Sequence, residues 1–332
     1  MSESHKIAVI GGGSWATAIV KILSNSPVEI IWWLRSAKAV EHIAAHRHNP
    51  VYLSDVQIEL TKVRPVADLQ PAIDESDLIV LAVPSAFIKN TLAGLRPGTF
   101  HNKIIFSAIK GIVPEDLLIV GDFMHKHHQV PVSNIGVITG PCHAEEVALE
   151  KLSYLTIACQ DTGHAALLAG LMNCRYIRTT VSDDIYGTEY AAVIKNIIAI
   201  ASGMCHGLGY GDNFQAVLIA NAIQEIKRFI DKVYPISRDI NDSAYLGDLL
   251  VTAYSQFSRN RTFGSMIGKG YSVKSAQLEM NMVAEGYYAV KCIHAINQQA
   301  GTDLPVCNAV YNVLYGNSSA SKEMSLLAEK LR

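Results

Sequence analysis

The sequence predicts an α/β protein, with a doubly wound parallel sheet in its N-terminal half and an all-helical domain after it. Three observations carry this expectation. Short apolar runs alternate with helical periods through the first half. One run, residues 78–83, is apolar throughout, which suits a strand buried on both faces of a parallel sheet. From about Tyr186 onward the pattern is helical almost without a break.

Residues 6–10 read as a short apolar strand ending in glycines, and residues 15–23 as the helix that follows. Residues 28–34 are a second strand, residues 78–83 a third, and residues 103–107 and 136–139 two more. Residues 189–202 are apolar nearly all round, which marks a buried helix rather than a surface one. Residues 213–234 read as another long helix, and residues 275–299 hold two helical stretches. The tail after Gly316 is polar and is expected to fray. The change of character near residues 181–186 sets the expected domains at 1–185 and 186–332.

Composition narrows the function. Of 332 residues, 49% are hydrophobic and 17% charged, enough for a large core and too apolar for disorder. A formal net charge of -2 points to neither nucleic acid nor a membrane surface. The longest apolar runs fall far short of the roughly 20 residues that span a bilayer. The six cysteines form no C-x-x-C pair, and no tract of Cys and His has zinc-site spacing. They read as reduced, mostly buried thiols of a cytoplasmic protein. The first strand begins almost at once, leaving no room for a signal peptide.

Three clusters carry chemistry. Gly11-x-Gly13-x-x-Ala16 follows a strand and opens a helix. The first glycine permits a tight turn, the second lets backbone approach a pyrophosphate, and the small third residue lets helix pack on strand. This favours a bound dinucleotide over a merely structural turn. At the end of the second strand, where an NAD site usually has an acid, the chain reads Trp33-Leu34-Arg35-Ser36. Arg35 can accept a 2′-phosphate; alternatively it stacks on adenine or faces solvent. NAD or NADP is therefore expected, and no metal.

The second cluster is Lys195, flanked at helical spacing by Ala191, Ala192, Ile198 and Ala199. A lysine held there is partly desolvated, which favours the neutral amine and suits a general acid/base. The alternative is a snorkelling side chain, or an internal ion pair with Glu189 or Glu225. The third is Gly247-Asp248-Leu249 with Ser258-Arg259-Asn260. Arg259 offers a planar fork for phosphate or carboxylate, and its neighbours add neutral donors. The plainer reading is a helix start capped by Ser258 or Asn260.

As a set, these residues resemble the bacterial NAD(P)-dependent glycerol-3-phosphate dehydrogenases along nearly the whole chain. The similarity runs through Gly11 to Ala18, Ala108-Ile109-Lys110-Gly111, Gly140-Pro141-Cys142-His143-Ala144-Glu145-Glu146-Val147, Tyr190 to Ala199 and Gly203 to Asn213. It continues through Gly247-Asp248-Leu249, Ser258-Arg259-Asn260 and Ala284-Glu285-Gly286. The resemblance implies a Rossmann-type domain before a helical one. It also implies interconversion of dihydroxyacetone phosphate and sn-glycerol 3-phosphate for glycerophospholipid synthesis. It makes Lys195 the residue that exchanges a proton with the substrate C2 oxygen, and Lys110 a contact to both substrate and cofactor. Gly140, Cys142, Asp248, Ser258, Arg259 and Asn260 fall at substrate positions, Arg259 also touching the cofactor. Gly11, Gly13, Ser14, Trp15, Arg35, Ala144, Val283 and Glu285 fall at cofactor positions.

Three departures stand out. Cys142 replaces the usual serine or threonine, and a thiol is the weaker donor. Ala220-Asn221-Ala222 replaces the usual Thr-Arg-Gly. Ala16 replaces a glycine, which the fold tolerates. A homodimer is expected from the abundance of such assemblies. The rivals are a dehydrogenase of the same build acting on another hydroxy acid or hydroxyacyl thioester, and a cofactor-binding sensor without turnover.

Overall fold

The computed structural model describes residues 5–280 and 284–332. The chain divides into two compact units: residues 1–109 with 120–185, and residues 110–119 with 186–332.

The first unit holds eight strands in one sheet: β1 Lys6–Ile10, β2 Glu29–Trp33, β3 Val63–Val66, β4 Leu78–Leu81 and β5 Ile104–Ser107, then β8 Ile135–Thr139, β9 Ser153–Cys159 and β10 Ile177–Ser182. The order is β10-β9-β8-β5-β4-β1-β2-β3. Six strands, from β3 across to β8, run parallel. Their order is that of a doubly wound dinucleotide fold. β9 runs antiparallel to β8, and β10 parallel to β9. The central strands are the apolar ones: Ile7, Val9, Leu78, Val80 and Phe106 are buried to 2% exposure or less. β3 and β10 lie at the edges and carry Arg64, Pro65, Arg178 and Thr180. Proline is tolerated there because an edge strand has no second partner to bond.

The second unit contains the hairpin β6 Ile112–Val113 and β7 Leu118–Ile119. The rest is helical: Ile185–Gly207, Asp212–Val233, Asp248–Tyr254, Arg259–Gly268, Val273–Glu279, Glu285–Ala300, Pro305–Leu314 and Ala320–Ala328. A π-helical turn, Ser243–Gly247, leads directly into Asp248–Tyr254. Helix Ile185–Gly207 is as buried as its sequence predicts, with Val193, Ile194, Ile197, Ile198 and Ile200 at 0% exposure.

Two helices of this unit touch backbone to backbone. A Cβ on Gly264 would lie 2.1 Å from the Ile200 carbonyl oxygen, and one on Gly203 2.1 Å from that of Arg261. The crossing fixes helix Arg259–Gly268 against the helix that carries Lys195.

The expectation that the tail frays is overturned. Ser319 caps helix Ala320–Ala328 by accepting the Lys322 N–H at 3.2 Å, and Met324 and Leu327 are buried. The segment is polar in total but apolar at the spacing that faces the core, so its anchor is a periodicity that composition hides. Among the described residues no helix is long and apolar enough to cross a membrane.

Candidate active site

The first unit presents its glycine turn at the carboxyl end of β1, where ligands bind in open α/β sheets. Gly11 has φ +144, and a Cβ on it would meet the Ala82 carbonyl oxygen at 2.4 Å. Its own backbone is tied down: Gly11 N–H donates to the Trp33 carbonyl at 3.1 Å, and its carbonyl accepts from Trp32 Nε1 at 2.7 Å. Gly13, by contrast, has nothing within 4 Å of where its Cβ would be. It caps helix Ser14–Leu23, whose first amides carry the positive end of the helix dipole. Beside it, the buried Trp15 Nε1 has no hydrogen-bond partner among the described residues. A tight first glycine, an open second one and a buried indole N–H in want of an acceptor fit a bound dinucleotide.

Sequence reasoning missed a clamp on this turn. Asn49 is buried, and its Nδ2 donates to the Gly12 carbonyl and to Thr17 Oγ1, both at 3.0 Å. Its Oδ1 accepts from the amides of Val51 and Tyr52. Its turn bonds to Val51 and Tyr52 are local, but nothing local marks its hold on the glycine turn, because Gly12 and Thr17 lie more than thirty residues away.

The remaining residues of this unit are placed as follows. Ser14 is buried at the start of its helix, and Arg35 is exposed just beyond β2. Gly140 follows β8 with φ +116, Cys142 is buried, and Ala144 begins helix Ala144–Ala148.

In the second unit three charged groups meet. Asp248 is 1% exposed and Lys195 4%. The Lys195 ammonium donates to Asp248 Oδ1 and, at 2.9 Å, to Thr252 Oγ1. Lys110 Nζ donates to Asp248 Oδ2 at 3.2 Å. Thr252 donates in turn to the Asp248 carbonyl at 2.7 Å, one helical turn back. Asn196, next to Lys195, donates to the Lys110 carbonyl at 2.9 Å. It thus pins the start of segment 110–119 to the Lys195 helix. An ammonium has three donors, and Asp248 and Thr252 take two.

The internal ion pair of Lys195 is therefore realised, but with Asp248 rather than Glu189 or Glu225. Glu225 is buried elsewhere, accepting the amides of Val306 and Cys307 at 2.8 Å. Thr252 had a usable signal, since it stands four residues after Asp248 on the same helix face.

The electrostatics follow from this geometry. Burial, partly offset by the charge of Asp248 and reinforced by the like charge of Lys110, brings the Lys195 ammonium down to about 7. Burial also raises the Asp248 carboxyl, but the two ammonium groups outweigh it and hold the group below its usual range. One carboxylate thus lies between two lysines, and the lysine deeper inside is close to losing its proton.

Ser258 is the cap of helix Arg259–Gly268, its Oγ accepting the Arg261 N–H at 3.3 Å. Asn260 is buried and its Oδ1 accepts the Gly286 N–H at 2.9 Å. Both bonds use oxygen as acceptor and leave the Ser258 O–H and the Asn260 amide hydrogens unconsumed. Arg259 is exposed at the helix N-terminus, and Glu285 opens helix Glu285–Ala300. Val283 lies outside the described residues.

Comparison with known proteins is uniform. Two family models match, described as the N-terminus and the C-terminus of NAD-dependent glycerol-3-phosphate dehydrogenase, over residues 6–165 and 184–325. The chain is 35% identical to a glycerol-3-phosphate dehydrogenase (NAD(P)+) of Exiguobacterium, covering 98% of this chain and 95% of that protein. It is 32% identical to one of Staphylococcus epidermidis, covering 98% of each. Among solved structures it is similar to glycerol-3-phosphate dehydrogenase from Coxiella burnetii, with 27% identity, a TM-score of 0.89, and coverage of 98% and 99%. A ketopantoate reductase family protein from Ralstonia eutropha, 16% identical with a TM-score of 0.59 over 96% and 99%, shares the fold alone.

Proposed function

The chain belongs to the NAD-dependent glycerol-3-phosphate dehydrogenase family, and from that premise we propose that it interconverts dihydroxyacetone phosphate and sn-glycerol 3-phosphate. It is an NAD(P)-dependent oxidoreductase acting on a CH–OH group. The observation that carries the reading is the buried Lys195–Asp248–Lys110 cluster, which holds one amine near neutrality beside a carboxylate.

A bound nicotinamide supplies or takes the hydride. This chain's residues manage the proton and the phosphate. Lys195 gives its proton to the C2 oxygen in reduction and takes it back in oxidation. Asp248 and Thr252 hold the ammonium in one orientation, so that its third N–H is aimed rather than rotating freely. Lys110 stabilises negative charge developing on that oxygen. Arg259, with the Ser258 and Asn260 donors, grips the phosphate, and Gly140 and Cys142 complete the substrate contacts. Gly11, Gly13, Ser14, Trp15, Arg35, Ala144 and Glu285 hold the dinucleotide, with Lys110 and Arg259 touching both ligands. Exposed Arg35 leaves room for a 2′-phosphate, so NADP is accepted as well as NAD. On the frequency of closed two-fold assemblies, the enzyme works as a cytoplasmic homodimer, feeding glycerophospholipid synthesis.

The test is a steady-state assay of dihydroxyacetone phosphate reduction with NADH and with NADPH, beside a panel of hydroxy acids in the reverse direction. Lys195→Ala should lose about 10²–10⁴-fold in turnover while cofactor still binds. A near-normal rate would remove Lys195 from the proton's path. Turnover of a hydroxy acid in place of glycerol 3-phosphate would overturn the substrate, and binding without turnover would leave only a sensor.

A further inference from the structure

The proton carrier and the phosphate grip stand on different helices. Lys195 is on Ile185–Gly207, and Ser258-Arg259-Asn260 opens Arg259–Gly268. The distance between them is set where these helices cross, and the crossing is lined by glycine on both sides. A Cβ on Gly203 would lie 2.1 Å from the Arg261 carbonyl oxygen, and one on Gly264 2.1 Å from that of Ile200. One on Gly207 would lie 2.4 Å from that of Ser265, and one on Gly268 2.3 Å from that of Met204. A third helix closes on the same stretch. A Cβ on Gly286, near the start of Glu285–Ala300, would lie 2.6 Å from the Asn196 carbonyl oxygen.

We propose that this crossing is a specificity determinant: on the substrate reading above, Gly203 and Gly264 fix the reach from Lys195 to the phosphate grip, and so select substrates by the span from carbonyl carbon to phosphate. Three features support it. Both ends of the span are fixed. Asp248 and Thr252 hold the buried Lys195 ammonium, and the buried Asn260 Oδ1 is tied to the Gly286 N–H at 2.9 Å. Neither group can swing to meet a longer or shorter molecule. The tight contact is also close to both ends, since Ile200 stands five residues after Lys195 and Gly264 four after Asn260, each little more than a helical turn. Finally, the contact is backbone against backbone. No side chain there can change rotamer to absorb a shift, so the spacing alters only if the helices move as bodies.

The size of the effect follows from the contact. An ordinary carbon–oxygen approach is about 3.3 Å, so a methyl placed at 2.1 Å must part the helices by about 1 Å. One methylene adds roughly 1.3 Å of reach to a substrate. A wedge of one methyl should therefore suit a phosphate one carbon farther from the ketone.

The test measures kcat/KM by nicotinamide absorbance for three ketones: dihydroxyacetone phosphate, its homologue 1-hydroxybutan-2-one 4-phosphate, and dihydroxyacetone, which has no phosphate to be gripped. The parent should prefer dihydroxyacetone phosphate to the homologue by about 100-fold or more, since a misplacement of about 1 Å costs that much. In Gly264→Ala, and separately in Gly203→Ala, dihydroxyacetone phosphate should lose about 10- to 100-fold relative to dihydroxyacetone, and the homologue should gain on it. Gly268→Ala places a similar wedge one turn farther from the grip. It should lower the thermal midpoint comparably but shift these ratios less. The proposal is overturned if both glycine variants lose dihydroxyacetone and dihydroxyacetone phosphate in equal proportion, which a merely structural role would give. It is overturned as well if the ratios shift no more in Gly264→Ala than in Gly268→Ala. A parent that takes both phosphates equally well overturns it without any variant. A parent that does not reduce dihydroxyacetone phosphate overturns the function and this determinant together, whereas the other failures leave the function standing.

Discussion

The charge arrangement at Lys195 makes a directional prediction. In reduction the lysine must be protonated before it can give its proton, so kcat/KM for dihydroxyacetone phosphate should fall as pH rises through about 7. In oxidation the amine must be neutral, so kcat/KM for glycerol 3-phosphate should rise through the same limb. Burial sets the depressed value, Asp248 raises it and Lys110 lowers it. Asp248→Asn keeps the shape and removes the raising charge, so the limb must move to lower pH. An opposite charge in direct contact is worth about 1–3 pKa units. Each unit is about 1.4 kcal/mol and a tenfold loss of the protonated form above the limb. Reduction at neutral pH should therefore fall about 10- to 1,000-fold in the variant, while the rate recovered at acid pH falls far less. Lys110→Met removes a like charge and must move the limb the other way, whatever it does to the height of the profile. The assay is initial rate by nicotinamide absorbance in both directions, from about pH 5 to pH 10, at saturating cofactor. A limb that stays in place in Asp248→Asn, or that moves in the same direction in both variants, would refute the assignment of Lys195 as the proton carrier.

Other outcomes are expected. Gly264→Ala should lower the thermal midpoint and cost about 1–3 kcal/mol or more, because the new methyl would lie 2.1 Å from the Ile200 carbonyl oxygen. Gly170→Ala, inside helix Thr162–Met172 with nothing near its Cβ, should instead stabilise by about 0.5–1 kcal/mol in the same melt. Burial raises the Glu225 carboxyl from 4.5 to about 7, its two amide bonds only partly offsetting the cost. Its protonated form is the favoured one in the fold. Its contribution is therefore full below the unfolded value and is lost as pH rises through about 7, amounting to about 3 kcal/mol at most. Denaturant titrations of Glu225→Gln at pH values either side of that window should show the dependence removed, and an unchanged difference between acid and neutral pH would sink the attribution. Asn49→Ala should weaken dinucleotide binding, read by fluorescence titration, about tenfold or more, since the Gly12 carbonyl and Thr17 lose a shared buried donor.

What the sequence displayed was whatever could be read from neighbours along the chain. β1 and β4 stood out because a strand buried on both faces has no polar positions to disguise it. β3 and β10 did not, because edge strands carry Arg64, Pro65 and Thr180 and lose the apolar signature. The glycine turn was legible since its three small residues act within six positions of chain. Its clamp, Asn49, was not, since it acts across a gap of thirty-seven residues to Gly12. Likewise Lys195 announced itself through the apolar residues three and four positions away, while the choice among Glu189, Glu225 and Asp248 as its partner needed the fold. The separation of fifty-three positions between Lys195 and Asp248 is closed by the glycine-lined helix crossing and the π-helical turn before Asp248. The crossing does leave glycines four apart on each helix, Gly203 and Gly207 on one and Gly264 and Gly268 on the other, but that spacing marks a close helix contact and does not point to Asp248.

That closure explains why the fold keeps so costly an arrangement. A buried ion pair is poor value as a source of stability, because desolvating two charges roughly cancels their attraction. Here two lysines share one carboxylate, so the cluster carries a net positive charge in a place where water is scarce. In the absence of substrate that surplus is unfavourable, and it is relieved by letting Lys195 approach neutrality. A phosphorylated substrate brings the negative charge that the cluster lacks, which favours the protonated lysine at the moment the ketone needs a proton. Removal of the product's charge favours the neutral amine again.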